Sequence, residues 1–460
     1  MTYAELLGSA SARARQLTEA GVPPGGRVGV CLPDPVGYAA ALLGILAAGR
    51  VAVPLDPAAP AAEQARVLGI AQANAVIGES SAGVPPGPAA LEPLGMDRAP
   101  GSLVAAPATG GIFLCTSGTT GTPKGIELRE DQLAHVAAAV AGHHRLTRDD
   151  RGHCCLPLFH VNAEVVGLLA TLSAGACLVL DRKFSRRRFW PVIEERRITW
   201  INAVPAIIAL LTMEPGSVRP ALTRVRFVRS ASAPLPPAVL VRFEQLTGLP
   251  VIETYGMTEA ASMITANPLD GPRKPGSVGQ PAGTEVRVVR STWSEAVPCP
   301  DYVIGQVQIR GPGVITRYAT GGRPGVIDHD GWLDTGDLGH LDEEGYLYLA
   351  GRADDVINRG GEKIYPREIE EVLLAQPGVL SAAVVGAEDE VLGQRPVAYV
   401  VPADATLNDA DALLAACAAA LPKPKRPSAI VLVSELPLGP TGKVARRRLR
   451  ELAAASGPGV

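Results

Sequence analysis

Short apolar runs of strand length alternate with helix-length segments along most of this chain. An apolar helical segment at residues 39–48 lies between strand-length runs at 27–32 and 51–54. Similar runs recur at residues 176–180, 198–203, 225–228 and 250–252. Because strands that are apolar on both faces are typical of parallel sheets covered by helices, the pattern predicts an α/β fold with largely parallel sheets.

Two parts of the chain depart from this pattern. Residues 80–109 are rich in Ala, Gly, Pro and Ser without a clear period, which predicts a mostly loop-like surface segment. After residue 351 the pattern becomes mixed, with a charged helix at 366–374, strands at 381–385, 397–401 and 430–433, and a helix at 409–421. We therefore expect a large N-terminal domain of layered α/β subdomains and a small α+β C-terminal domain.

The composition is that of a folded protein without extreme charge. The 460 residues include 50 Gly and 41 Pro, which together stay below the roughly 25–30% typical of low-complexity chains. The formal net charge of −3 gives no global argument for a nucleic-acid partner. The seven cysteines are scattered without paired spacing, which is typical of reduced thiols in a cytosolic protein.

Nothing in the sequence predicts a membrane partner. Residues 1–16 mix acidic and basic side chains, unlike the basic and then apolar segments of a signal peptide. The longest apolar stretch, residues 37–49, is shorter than the ~20 residues of a membrane-spanning helix. We expect a soluble cytoplasmic protein, and the sequence leaves open whether it is a monomer or a homodimer.

A loop rich in hydroxyl groups and glycine follows the apolar run at residues 111–115. Its string TSGTTGTPKG places backbone N–H groups, hydroxyls and one lysine at the exit of a strand, where they can surround phosphate groups. The string differs from the Walker A pattern, because Pro123 precedes Lys124 and no Ser or Thr follows it. The candidate phosphate-binding residues are Thr116, Ser117, Gly118, Thr119, Thr120, Gly121 and Lys124.

This loop resembles the phosphate loop of the AMP-forming adenylate-forming superfamily, which includes acyl-CoA synthetases, adenylation domains of peptide synthetases and luciferases. Four further strings occur in the order expected for that family: YGMTE at 255–259, WLDTGDL at 332–338, GRADDVI at 351–357 and PTGK at 440–443. The resemblance runs from about residue 2 to residue 449. It implies domains at 1–350 and 356–460, joined by a hinge at 351–355.

The resemblance also implies roles for individual residues. Thr119 and Lys124 would hold the β- and γ-phosphates of ATP, Thr258 the α-phosphate, and Glu259 would bind Mg²⁺ as a hard oxygen ligand. A carboxylate becomes a good electrophile only after its oxygen is joined to AMP, and that displacement requires charge neutralisation. By the same resemblance, Lys443 would stabilise the negative charge that develops as the acid attacks.

The nucleotide's base and sugar have their own candidate residues. Tyr255 and Gly256 match the adenine motif, and the backbone of Ser232, Ala233 and Pro234 would form the opposing wall. Asp337 has two acceptor oxygens for the ribose diol, and Arg352 keeps its charge and can bridge ribose and phosphate oxygens.

Members of the family run two half-reactions in one site by rotating the small domain about a hinge residue, here Asp354. After rotation, the loop that contains Gly360 and Gly361 would line a tunnel for the pantetheine arm of CoA, since glycine leaves room close to the backbone. ATP, Mg²⁺ and CoA are thus the implied cofactors and substrates.

The acid pocket resembles that of acyl-CoA synthetases. His160 stands where peptide-synthetase adenylation domains have an aspartate for the α-amino group, which disfavours an amino-acid substrate. The strings at 156–162, 267–269, 274–279 and 358–364 are similar to the oxalyl-CoA synthetase branch, but Asn162-Ala163 replaces a small polar pair and Glu164 replaces an apolar residue. On a helix, His160 and Glu164 share a face. Glu164 either pairs with His160 or an arginine, or meets a cationic group on the substrate.

These observations indicate an ATP- and Mg²⁺-dependent acid–CoA ligase that releases AMP and pyrophosphate and acts on a small or aromatic acid. Glu164 supports one alternative, in which the activated group passes to an amine, as in an amide synthetase or a diazotase that activates nitrite. A second alternative is an inactive nucleotide-binding scaffold. The joint presence of Lys124, Glu259, Asp337, Arg352 and Lys443 disfavours it.

Overall fold

The alternating apolar runs form two largely parallel sheets in the computed structural model of this chain. The structure describes residues 1–78, 89–91, 110–116, 124–212, 224–291, 296–322, 324–403, 409–438 and 444–455. Ser117, Gly118, Thr119, Thr120 and Gly121 of the phosphate loop, and Lys443, lie outside these residues.

The first sheet has six strands within the described residues, in the order β4-β3-β1-β2-β5-β6. Only the β5–β6 pair is antiparallel. The strands are β1 (Arg27–Cys31), β2 (Val51–Pro54), β3 (Ala75–Gly78), β4 (Ala89–Leu91), β5 (Gly111–Thr116) and β6 (Lys124–Arg129). The associated helices are α1 (Tyr3–Glu19), α2 (Pro35–Ala47), α3 (Ala61–Ala71) and α4 (Glu130–His143). α2 begins where Asp34 accepts a hydrogen bond from the Gly37 N–H at 2.8 Å, with Pro35 at the first helical position.

The second sheet has the order β13-β12-β11-β10-β9-β7-β8 among the described residues. Its strands are β7 (Arg151–Cys154), β8 (Cys177–Leu180), β9 (Trp200–Ala203), β10 (Phe227–Ser230), β11 (Val251–Met257), β12 (Ser262–Ala266) and β13 (Gln280–Pro281). A π-helix (Asn162–Leu169) and the helices α5 (Ala170–Ser173), α6 (Arg186–Glu195), α7 (Pro205–Thr212) and α8 (Pro237–Thr247) accompany it. β9 and β10 are buried at every position, including the polar residues Asn202, Arg229 and Ser230.

A third, antiparallel sheet was not predicted from the apolar pattern. It comprises β14 (Glu285–Ser291), β15 (Ala296–Pro298), β16 (Gly305–Arg310), β17 (Leu333–Leu341) and β18 (Leu347–Arg352). Its strands alternate polar and apolar residues because one face of the sheet contacts solvent. The β17–β18 pair places Asp337 directly opposite Arg352.

The fourth sheet lies in the C-terminal part of the chain. Its strands are β19 (Ile357–Arg359), β20 (Glu362–Ile364), β21 (Val379–Asp389), β22 (Gly393–Pro402) and β23 (Ala429–Leu432), with helices α9 (Pro366–Leu374), α10 (Ala410–Ala420) and α11 (Arg446–Ala455). Its buried residues form two apolar clusters, which lie on opposite faces of the sheet. The predicted α/β fold class, with a large N-terminal and a smaller α+β C-terminal domain, is confirmed.

Two smaller predictions need revision. Most of the loop-like segment at residues 80–109 lies outside the described residues, but Ala89–Leu91 forms a strand that pairs with β3. The run at 225–228 is offset from β10, which continues through the polar residues Arg229 and Ser230. No helix within the described residues is both long and apolar enough to cross a bilayer.

Candidate active site

Three of the predicted nucleotide-binding residues meet where the second and third sheets adjoin. Tyr255 lies on β11, and its hydroxyl donates to Asp337 Oδ2 on β17 at 2.5 Å. Arg352, the last residue of β18, donates from Nη1 to Asp337 Oδ1 at 3.3 Å and to the Thr335 carbonyl at 3.1 Å. Gly336 has φ +74°, and a Cβ there would lie 2.9 Å from Arg352 Nη2, so the tight turn requires glycine.

Electrostatics keep the members of this group in defined protonation states. Burial, followed by the adjacent charge of Asp337, raises the pKa of Tyr255 well above its ordinary value, so its hydroxyl stays a donor. Burial alone would lower the pKa of Arg352, but the electrostatic interactions with Asp337, Tyr255, Asp354 and Glu259 together outweigh it and the net pKa is raised. The group therefore presents a carboxylate and a fixed cation to a ligand.

Gly256 is required by close packing of two strands. A Cβ at this position would lie 1.7 Å from the Ser262 carbonyl oxygen on β12. The pairing of β11 with β12 also shifts register between Tyr255 and Gly256, because Ile264 on β12 is the extra residue of a bulge. Close packing therefore explains why residue 256 is glycine, and its contact with the nucleotide stays a prediction.

Glu259 and Lys124 are linked through a tyrosine that the sequence analysis missed. Thr258 and Glu259 form a short 3₁₀ turn directly after β11, and Tyr318 donates to Glu259 Oε1 at 2.9 Å. Lys124 Nζ, at the start of β6, lies 5.0 Å from the centre of the Tyr318 ring. No sequence pattern distinguished Tyr318, because its partners lie far away along the chain.

The candidate magnesium ligand fits a hard cation. Among the described residues, no group of three or more His, Cys, Asp or Glu side chains could hold a metal ion. Mg²⁺ commonly binds through one or two carboxylates together with substrate phosphates and water. Glu259, with Oε1 held by Tyr318, suits such a site, and we retain it as the candidate ligand.

The proposed adenine wall follows β10 as an exposed loop. Ser232 has φ +75°, in the left-handed region that is uncommon for residues other than glycine. The Asn162 side-chain amide donates to Ser232 Oγ at 3.1 Å and holds this turn. Ala233 and Pro234 are exposed, so their backbone is accessible to a ligand.

Glu164 lies in the π-helix and has a partner other than those expected. Its carboxyl is fully buried, and Tyr38 on α2 donates to Oε1 at 2.5 Å, while Oε2 has no hydrogen-bond partner. The predicted pairing of the Glu164 side chain with His160 or an arginine is therefore wrong within the described residues: the bond between Glu164 and His160 is from backbone N–H to backbone carbonyl, at 3.0 Å. Burial raises the pKa of Glu164 to about 8, although the Tyr38 hydrogen bond opposes the shift.

This raised pKa predicts a pH-dependent effect of Glu164→Gln on stability. Below the ordinary pKa of 4.5, the carboxyl is protonated whether the chain is folded or unfolded. As the pH rises toward 8, the unfolded chain releases this proton and the folded chain retains it, so the wild type loses stability. Glutamine does not titrate. The free energy of unfolding of the variant, relative to wild type, should therefore rise by a few kcal/mol between pH 5 and pH 8, because each pKa unit corresponds to about 1.4 kcal/mol.

Thermal melting across that pH range measures the effect, with Glu362→Gln, an exposed position, as the control. If the difference between Glu164→Gln and wild type stayed constant from pH 5 to pH 8, Glu164 would be ionised in the folded protein and this interpretation would be wrong.

The hinge segment is hydrogen-bonded to α11, the helix that follows the lysine loop, residues 439–443, which contain Lys443. Asp354 is exposed within a 3₁₀ turn (Ala353–Asp355), and its carbonyl accepts from Arg450 Nη2 at 3.2 Å. Asp355 pairs with both Arg446 and Arg450 of α11. Leu438 and Val444 form a β-bridge on either side of residues 439–443, so the ends of the lysine loop have fixed positions.

The candidate tunnel residues form the turn between β19 and β20. Gly360 and Gly361 have φ of +59° and +89°, a conformation that favours glycine. The Gly360 N–H donates to the Leu392 carbonyl at 2.7 Å. This turn is suited to glycine for backbone reasons, and its role in CoA access stays a prediction.

Comparisons with known proteins identify the family. Residues 1–319 match the family described as AMP-binding enzyme, and residues 368–443 match the AMP-binding enzyme C-terminal domain. The chain is 40% identical to sulfoacetate–CoA ligase of Cupriavidus necator, over 98% of this chain and 92% of that protein. It is 34% identical to oxalate–CoA ligase of Arabidopsis thaliana, over 95% of this chain and 90% of that protein.

A solved structure agrees with these matches. The ATP-bound crystal structure of MatB from Rhodopseudomonas palustris superposes with a TM-score of 0.90 at 30% sequence identity, covering 98% of this chain and 93% of that one. The ordered motifs, the fold and these similarities agree across nearly the whole chain. The chain therefore belongs to the AMP-binding enzyme family, within its AMP-forming acid–CoA ligases.

Proposed function

We propose that this protein joins a small carboxylic acid to CoA in two steps. The acid first attacks the α-phosphorus of ATP, which gives an acyl-adenylate and releases pyrophosphate. The CoA thiol then attacks the acyl carbon, which gives the thioester and releases AMP. The observation that carries the proposal is the contact among Tyr255, Asp337 and Arg352, whose shared carboxylate would accept a ribose diol. The relatives named for sulfoacetate and oxalate support a small acid.

In the first step, the residues of this chain would position ATP and offset its charge. Asp337 would accept both ribose hydroxyls, and Arg352 would remain cationic beside the phosphate. Lys124 would contact the outer phosphates from the start of β6. Glu259 would hold Mg²⁺, which, when bound, reduces the negative charge of the phosphates.

The second step would follow rotation of the small domain about Asp354. Rotation withdraws Lys443 and brings the Gly360–Gly361 turn toward the adenylate, so that CoA can enter. We place this chemistry in the cytoplasm, where ATP and CoA are available, and no disulfide links the cysteines.

A screen of pyrophosphate release tests the proposal. The purified protein is supplied with ATP, Mg²⁺ and a panel of small and aromatic acids and nitrite, with and without CoA, and separately with aromatic amines. We expect acid-dependent pyrophosphate release, with thioester formation only when CoA is present. Turnover with an amine acceptor but not with CoA would establish the alternative transfer reaction, and no turnover with any acid would contradict the proposal.

Asp354→Pro is expected to separate the two steps. Proline fixes φ at the hinge and restricts the rotation that transfer requires, while the phosphate loop is untouched. Single-turnover pyrophosphate release should stay within about threefold of wild type, whereas thioester formation should fall by roughly tenfold or more, the scale of a blocked conformational step. Asp301→Ala, an exposed change outside the hinge, serves as the control. Equal losses in both steps would indicate general damage and not a hinge role.

A further inference from the structure

Arg229 is a buried cation at the centre of the second sheet. It lies on β10, is 1% exposed, and is among the largest fully buried side chains. Its Nη1 donates to Asn162 Oδ1 at 2.7 Å and to Asn202 Oδ1 at 3.0 Å. Both acceptors are neutral amides, so they accept hydrogen bonds from Nη1 but give the guanidinium no compensating charge.

No acidic side chain among the described residues forms an ion pair with Arg229, and its Nε has no hydrogen-bond partner. The neighbouring titratable groups are Cys154 and two histidines, His143 and His144, whose pKa values are lowered by burial and by the Arg229 charge. Burial lowers the pKa of Arg229 itself to about 9. By contrast, Arg367, another buried arginine, pairs with Glu371. A buried charge without an opposite charge is costly, and an anion from outside the chain would offset that cost.

The position of Arg229 is that of a ligand-binding residue. In α/β sheets, ligands bind at the carboxyl ends of parallel strands, and Arg229 is the penultimate residue of β10. Asn162 connects Arg229 to the proposed adenine wall (Ser232, Ala233 and Pro234), hereafter the nucleotide wall. The same amide that accepts from Arg229 donates to Ser232 Oγ at 3.1 Å. One amide side chain therefore separates the guanidinium from the wall. Asn162 also begins the π-helix, an element found frequently at functional sites.

We propose that Arg229 binds a second anionic group, a carboxylate or a sulfonate, on the acid that this enzyme activates. The inference rests on the proposed acid–CoA ligase function and narrows its substrate to small acids with two anionic groups. One carboxylate lies at the nucleotide wall for activation, and the other anion displaces the Asn162 amide oxygen from the guanidinium. The exchange is favourable because the anion brings an opposite charge to the buried guanidinium, which the neutral amide oxygen of Asn162 does not.

The first test compares acids that differ in charge but little in size. Wild-type adenylation is measured by pyrophosphate release with malonate and sulfoacetate, and with monomethyl malonate and propionate as singly charged counterparts. We expect kcat/KM for a dianionic acid to exceed that for its singly charged counterpart by about 100-fold, because a site built for a polar group is left unpaired by an analogue that lacks it.

The second test changes the guanidinium. Arg229→Met should reduce kcat/KM for malonate and sulfoacetate by about 100-fold, mainly through KM, and leave propionate within about threefold. Arg229→Lys should restore part of the preference, because it keeps the charge. The matched control is Arg226→Met, one residue before β10, since Arg226 already pairs with Asp150 at 2.9 Å and should not affect the preference.

The outcomes separate the two proposals. If no acid releases pyrophosphate, the ligase proposal fails and this inference fails with it. If acids are activated but the wild type does not prefer dianionic ones, only the inference is overturned. Equal losses for both acid classes in Arg229→Met would show a structural role and also overturn it. If Arg229→Met does not fold, the wild-type preference and Arg229→Lys still decide the question.

Discussion

Replacing Asp337 with alanine is expected to lower kcat/KM for ATP in adenylate formation by about 100-fold, the scale of losing charged hydrogen bonds to a bound group. The substitution removes both proposed acceptors for the ribose diol. It also removes the carboxylate that accepts from the Tyr255 hydroxyl at 2.5 Å and from Arg352 Nη1 at 3.3 Å. Asp337→Asn keeps one acceptor oxygen and should lose only about tenfold. Pyrophosphate release at varied ATP concentrations, together with calorimetric ATP binding, measures both changes.

Asp301→Ala controls for the loss of an exposed carboxylate elsewhere in the large domain. Tyr255→Phe keeps the aromatic ring and removes only the hydroxyl, so it tests how far Tyr255 acts by orienting Asp337. Wild-type ATP affinity and turnover in Asp337→Ala would contradict the ribose-binding role.

Lys443→Ala should reduce acid-dependent adenylate formation by on the order of 100-fold or more, the effect of losing one positioned charge-stabilising donor. Transfer to CoA from a chemically prepared acyl-adenylate should continue, because the lysine is expected to leave the site before that step. The two rates are measured separately, by pyrophosphate release and by thioester formation from the supplied adenylate.

Arg447→Ala provides the matched control for Lys443→Ala. Arg447 is four residues further along and has an 83% exposed side chain, so its loss removes a nearby cation without opening the core. Adenylation at the wild-type rate in Lys443→Ala would refute the catalytic role. Equal loss of adenylation in Arg447→Ala would show that general positive charge, and not one positioned lysine, is what matters.

The sequence by itself determined the helices and strands whose burial is visible as a pattern of neighbouring apolar residues. The helix predicted at residues 366–374 and the strand at 51–54 have those bounds in the structure. Continuous apolar runs identify buried parallel strands because both faces of such strands are covered. The third sheet was missed because its strands alternate polar and apolar residues, and their pairing depends on cross-strand contacts that the chain does not reveal locally.

The sequence also identified much of the candidate site. Tyr255, Asp337 and Arg352 were named from three separate motifs, and the structure places them in contact. Glu259 and Lys124 were named too, but Tyr318, which contacts both, was not. Fixed residue types at fixed spacing reveal the chemistry of a motif, whereas the residue that joins two motifs carries no such signature.

Tertiary structure alone decided the partners of the buried polar residues. Glu164 bonds Tyr38, which is 126 positions away, and not the His160 four residues before it. Arg229, on the part of β10 that extends past its apolar run, is joined to Ser232 of the nucleotide wall through Asn162. The physical reason is that a buried polar group must find a partner within about 3 Å in space. Sequence separation does not restrict that choice once distant strands and helices are packed together.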